Sequence, residues 1–301
     1  MGIMFKNFAD RKDVMDAALD ADALFIPQVV PLALPDGTVP LIDSGTHEGA
    51  AAYTTVYREK ADGSQVLLNA AVRPGYHAAS YAQLFKTADA MFPGTCDGFK
   101  LIDQGRKVVF TQHIGDKFDL GGGDTVSNYL MYVGSLDSTW TSACFGFAYR
   151  AFCTNQIPMG LLQMSQKRTV NHDALLFKKA TLLAKAADVF DAFTSDAAML
   201  RGIELTTATY RNLRDSVLPD VPEDAHGKTV AFADKRIEAI DYFWQDEVDK
   251  VGSNAWALFN AFQSYEFHTA TKDDAAKQVE VVRQADKKQP LTNAVRELVL
   301  A

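Results

Sequence analysis

The sequence predicts an α+β protein: antiparallel β-hairpins and a β-meander packed on a long helix, with a helical C-terminal part. Three observations predict it. Residues 107–152 hold three stretches of β-branched and aromatic residues separated by Gly- and Asp-rich turns, the pattern of a meander. Leu176, Ala180, Leu183, Ala187 and Phe190 follow at spacings of 4, 3, 4 and 3, a helical seam. Ile237, Ile240, Trp244, Val248 and Val251 then repeat helical spacing, and NAWALFNAFQSYEFH is apolar on nearly all sides, as a buried helix is.

Composition narrows the class. With 301 residues, 48% of them hydrophobic, the chain can bury a sizeable core in one large domain or two ordinary ones. No apolar run approaches the ~20 residues of a membrane span. The acidic N-terminus lacks the apolar stretch of a signal peptide, so a cytoplasmic protein without membrane contact is expected. Cys96, Cys144 and Cys153 are sparse and lack CxxC spacing, which fits small buried hydrophobes in a reducing compartment.

From the N-terminus, residues 5–24 read as a weak amphipathic helix through Phe8, Val14, Ala18 and Leu19. Prolines at 27, 31, 35 and 40 forbid a helix in the next stretch, which becomes an extended arm or edge strand. Such an arm packs across a neighbour in the same chain or in another subunit, so self-association is expected. Residues 51–59 alternate, ADGS turns, and QVLLNAAV returns, which makes a hairpin. PGYHAASYAQLFKTADAM turns into a helix with Leu84, Ala88 and Met91 on its buried stripe, and PGTCDG ends it.

The meander strands run from Lys107 to His113, Thr125 to Val133 and Trp140 to Phe152, with GDKFDLGGGD as the first connecting loop. Hairpin and meander are expected to share one antiparallel sheet. In the third strand Phe145, Phe147 and Tyr149 share one face, and Ala148, Arg150 and Phe152 the other. Residues 155–158 break the chain, and a polar loop runs through Lys167, Arg168 and His172 to the long helix. LPDVPEDAHG is the clearest internal boundary. The expected organisation is therefore 1–45 (helix and Pro-rich arm), 46–221 (α+β core) and 222–301 (helical region with a charged end).

Charge is uneven. The net charge is -8, yet residues 141–190 carry 6 basic and 2 acidic residues, net +4, while residues 1–49 carry 3 basic and 8 acidic, net -5. Single-strand binders combine a cationic groove for phosphates with aromatic platforms for bases. The candidate cations are Arg106, Lys107, Arg150, Lys167, Arg168, Lys178, Lys179 and Lys185; Phe147, Tyr149 and Phe152 are the candidate platforms. Lys178 and Lys185 lie seven apart and share a helix side, off the apolar seam.

No catalytic set is legible. Gly121, Gly122, Gly123 and Asp124 offer a backbone nest for an anion but match neither the P-loop nor GxGxxG. There is no GxSxG or HExxH motif. His172 and Asp173 resemble the HD pair of metal phosphohydrolases without a spaced partner histidine, and helix capping explains them more simply. No cofactor is expected.

The pieces VRPGYHAASYAQLFKTAD, GRKVVFTQH, GGDTVSNYLMYVGSLDST, YRAFCTNQIP and NAWALFNAFQSYEFH, in this order, resemble the phage/plasmid-like protein family known as domain of unknown function 932. The R-x-x-C-x-N element falls on Arg150, Cys153 and Asn155. The W-x-x-x-N-A element falls on Trp256, Asn260 and Ala261, with His268 after it. The resemblance spans about residues 45–270. It departs where many members show a DGS turn and this chain has Asp137, Ser138 and Thr139. It implies a mobile-element origin. The order of hairpin, meander and long helix is similar to Rad-fifty-two-like strand-annealing proteins, which implies a ring- or filament-forming annealing factor without a nucleotide cofactor. Two other classes stay open. One is a non-enzymatic oligomeric phage structural or host-interaction protein. The other is a metal hydrolase built on His172, Asp173 and Asp124.

Overall fold

A computed structural model describes residues 6–7, 28–31, 33–41, 48, 51–59, 63–72, 89–90, 96–137, 139–150, 156–164, 179–271, 277, 279–281, 284, 287 and 289–300. The strands are β1 (Lys6–Asn7), β2 (Gln28–Pro31), β3 (Thr54–Glu59), β4 (Gln65–Val72), β5 (Cys96–Ile102), β6 (Lys107–Asp119), β7 (Thr125–Ser135), β8 (Ala143–Arg150) and β9 (Gln156–Met164). The helices are α1 (Lys179–Gly202), α2 (Thr207–Val217), α3 (Gly227–Val251), α4 (Ala255–Thr271) and α5 (Pro290–Leu300). The α+β class holds, with the meander followed by the long helix and the helical C-terminal part.

The strands form two sheets, not one. A three-stranded sheet has the order β2-β3-β4, and a six-stranded antiparallel sheet has the order β1-β5-β6-β7-β8-β9. The predicted hairpin is β3-β4. Side chains, not ladder bonds, tie it to the large sheet: Arg106 Nε donates to the Leu67 carbonyl at 3.0 Å, and Asn69 Nδ2 donates to the Leu136 carbonyl at 3.2 Å. The Pro-rich arm finds its partner within the chain, because β2 pairs with β3 from Gln28↔Tyr57 to Pro31↔Thr54. Residues 6–7 are a strand on β5 rather than the start of a helix. The rest of the expected N-terminal helix lies outside the described residues, as do all but residues 89–90 of the second.

The large sheet is wider than the sequence indicates. PGTCDG looks like a turn, yet Cys96 opens β5, which pairs with β6. GDKFDL looks like a loop, yet β6 continues through it. Gly115, at φ 67, lies where the register shifts between Ile114 and Phe118, so a bulge absorbs the glycine and pairing resumes at Phe118↔Val126. Within the predicted break at 155–158, Gln156 starts β9. Pro158 pairs with Phe147 beside a register shift, and β9 is the last strand of its sheet, where a missing N–H is tolerated.

Both faces of the meander are covered. On one face Val126 and Ala148 join a core with Ala197, Leu200, Tyr210, Ile240, Trp256 and Val295, so a single cluster unites the sheet with helices on both sides of the 218–226 connection. On the other face Val109, Met131, Val133, Phe145 and Phe147 form a second core with Val279. The helix α1 buries Leu182, Ala186, Phe190, Ala197 and Leu200, while Ala187 is exposed. The seam is thus rotated from the predicted one. Leu182/Leu183 and Ala186/Ala187 fit two adjacent seams equally well, and the extra turns to Gly202 favour the one continued by Ala197 and Leu200. The expected seam of α3 and the all-round burial of α4 are present: Ile240, Trp244, Val251, Trp256, Phe262 and Phe267 are all buried. Within the charged end, Pro290–Leu300 form α5, whose Leu291 and Thr292 N–H groups donate to Glu266.

Candidate nucleic-acid interface and the buried arginine centre

The predicted cations separate into four groups. Arg150 is fully buried, which removes it from any surface groove. The alternation of β8 correctly sets it opposite Phe147 and Tyr149, but that side of the sheet meets the helices. Its Nε donates to Asp124 Oδ1 at 2.7 Å and its Nη1 donates to Glu247. Its guanidinium lies 5.6 Å from the centre of the Trp256 ring, and Trp256 Nε1 donates to the other Asp124 oxygen at 2.9 Å.

Lys107 is engaged next to the surface. It donates to Asp103, lies 3.4 Å from Asp137 and sits 5.3 Å over the Trp140 ring. Burial alone would lower its pKa, but the Asp103 hydrogen bond and the charges of Asp137 and Asp103 together raise it. Arg106 is exposed while its Nε anchors β4, and Lys185 is exposed on α1. Lys179 begins α1; its side chain, and Lys167, Arg168 and Lys178 entirely, lie outside the described residues.

The aromatic platforms divide as well. Phe147 is buried and stacks on Tyr129 at 5.3 Å, so it is a core residue and offers no face to a base. Tyr149 is half-buried with its edge toward Tyr129 at 6.3 Å. Phe152 lies outside the described residues.

The glycine run is the turn that aims Asp124 inward. Gly121, Gly122 and Gly123 all have positive φ, at 98°, 66° and 81°, which lets the chain fold tightly enough to bury the next side chain. Arg201, in the last turn of α1, closes the turn: Nη2 donates to the Gly121 carbonyl at 3.0 Å and Nη1 lies 3.8 Å from Asp124. Two guanidiniums therefore face two carboxylates at one junction of β7, β8, α1, α3 and α4. A buried carboxylate without such a partner is strongly unfavourable, so the set holds only when complete.

Glu247 is the residue whose role the sequence left unassigned, while Asp124, read there as part of an anion nest or a metal site, is half of a buried ion pair. For Glu247 a signal existed. It stands three residues after Trp244 and four before Val251, so it is a charge at a seam position. The motif residues Arg150 and Trp256, more than a hundred positions apart, meet on Asp124, and Asn260 Nδ2 donates to the Trp256 carbonyl at 2.7 Å. Both Asp124 oxygens are thereby hydrogen-bonded and the residue is fully buried, which corrects its candidacy as a metal ligand. Among the described residues no group of three His, Cys, Asp or Glu side chains is placed to hold a metal. His172 and Asp173 lie outside them. Cys96 and Cys144 are buried and not in a disulfide, and burial pushes the Cys144 thiol pKa up, away from reactivity. No described helix is long and apolar enough to cross a membrane.

Fold and site together define an α+β protein whose meander and C-terminal helices are locked by a sealed arginine–carboxylate centre. The family described as Domain of unknown function (DUF932) matches residues 70–295, and the chain belongs to it. No curated protein and no solved structure matches the chain.

Proposed function

We propose that the protein acts through its surface, as a single-stranded nucleic-acid-binding protein, and that its work is strand annealing in recombination or replication of a phage or plasmid. The observation that carries this reading is the cation density before and along α1. Lys167, Arg168, Lys178, Lys179 and Lys185 fall within residues 167–185 with Asp173 as the single acid, and Lys185 is exposed. The footprint ends at Asp188 and Asp191, both exposed. The closed centre supports the same reading from another direction: Asp124, Arg150 and Glu247 are sealed from solvent and cannot touch a substrate. The order of hairpin, meander and long helix, similar to Rad-fifty-two-like proteins, supports annealing by analogy of architecture. The resemblance to phage- and plasmid-borne sequences supports the setting. The test is binding of a labelled single-stranded oligonucleotide across a salt series. Affinity should fall with log salt at about 0.7 per phosphate neutralised. Absence of binding at low salt overturns the proposal.

A second reading is favoured by one observation. Leu34, Leu41, Tyr53 and Leu67, on or beside the three-stranded sheet, are 45–60% exposed. Exposed apolar side chains on or beside one small sheet are what an oligomeric structural or host-interaction protein would use for contact. Light scattering of the full chain tests it, and a monomer at high concentration contradicts the self-associating form.

A further inference from the structure

We draw no further inference here: the strongest candidate, the exposed apolar side chains Val230, Phe232 and Tyr242 of α3, carries nothing because nothing in the structure shows what covers them.

Discussion

Replacing Arg150 by Met removes the charge at the centre of the molecule while keeping much of the side-chain length. Asp124 and Glu247 are 0% and 1% exposed, so both carboxylates would stay buried, Asp124 with the Trp256 N–H and with Arg201 at 3.8 Å, Glu247 with Lys250 at 3.9 Å. Breaking a buried ion pair from one side costs about 3–5 kcal/mol, because the orphaned charge keeps its desolvation penalty. Two such partners place Arg150→Met at the upper end of that range. Exchanging all three groups, as Arg150→Met with Asp124→Asn and Glu247→Gln, removes the uncompensated charge and should recover a large part of the loss. Urea unfolding followed by tryptophan fluorescence reads both effects, since Trp256 stands at the centre and Trp244 in the same core. A single-variant loss below about 1 kcal/mol would refute the reasoning, because it would mean that water reaches the centre. A triple variant no more stable than the single one would show that shape, not charge, dominates there.

Other predictions follow from individual contacts. Burial of Glu266 raises its pKa from 4.5, against the lowering effect of its bonds from Thr292 and Leu291, so the folded state holds the proton more tightly than the unfolded state. Its contribution to stability is therefore fully present below the unfolded pKa and is lost as pH rises through the folded one. Wild type should lose stability relative to Glu266→Gln as pH rises above 4.5, read from unfolding midpoints at stepped pH, and a wild type that gains stability relative to the variant over that rise contradicts this. Gly122→Ala forces φ 66° on a side chain and sets its Cβ 3.2 Å from Arg201 Nη2, so it should cost about 1–2 kcal/mol or more. Gly63→Ala, with φ 77° and open space around it, isolates the backbone part, and equal losses in the two variants would show that the Arg201 contact is unimportant. Lys185→Ala should change stability by less than about 0.5 kcal/mol, since the residue is exposed and off the buried seam; thermal unfolding checks it, and a larger loss would place Lys185 in a structural contact.

Much of the architecture can be read directly from pattern. The helices α3 and α4 are legible because a single apolar seam, or apolar character all round, leaves no competing phase. The limits of α1 are not, because paired Leu and paired Ala residues permit two phases and only tertiary packing selects one. The strands β5 and β9 are hidden by local chemistry: Gly98 and Pro158 signal turns, and only pairing to β6 and β8 overrides them. Alternation places Arg150 on the correct side of β8. It cannot show that helices from residues 240–256 cover that side, so a buried salt link reads as a surface cation. Lys107 misleads in the same way, since Asp103 and Asp137 engage it only once the 3-10 turn at Asp103–Gly105 and the β7-β8 connection fold together.

The most direct test of the functional account compares two charge changes in one binding assay. Fluorescence anisotropy with a long single-stranded oligonucleotide is recorded over a salt series for wild type, Lys178→Ala/Lys185→Ala and Lys107→Ala. The account predicts that the Lys178/Lys185 variant binds more weakly at every salt concentration, with a slope flattened by about 1 to 2 units. Lys107→Ala, already engaged by two carboxylates, should bind like wild type. Wild-type affinity unchanged in the Lys178/Lys185 variant, or lost in Lys107→Ala while the chain stays folded, would contradict the proposed binding surface.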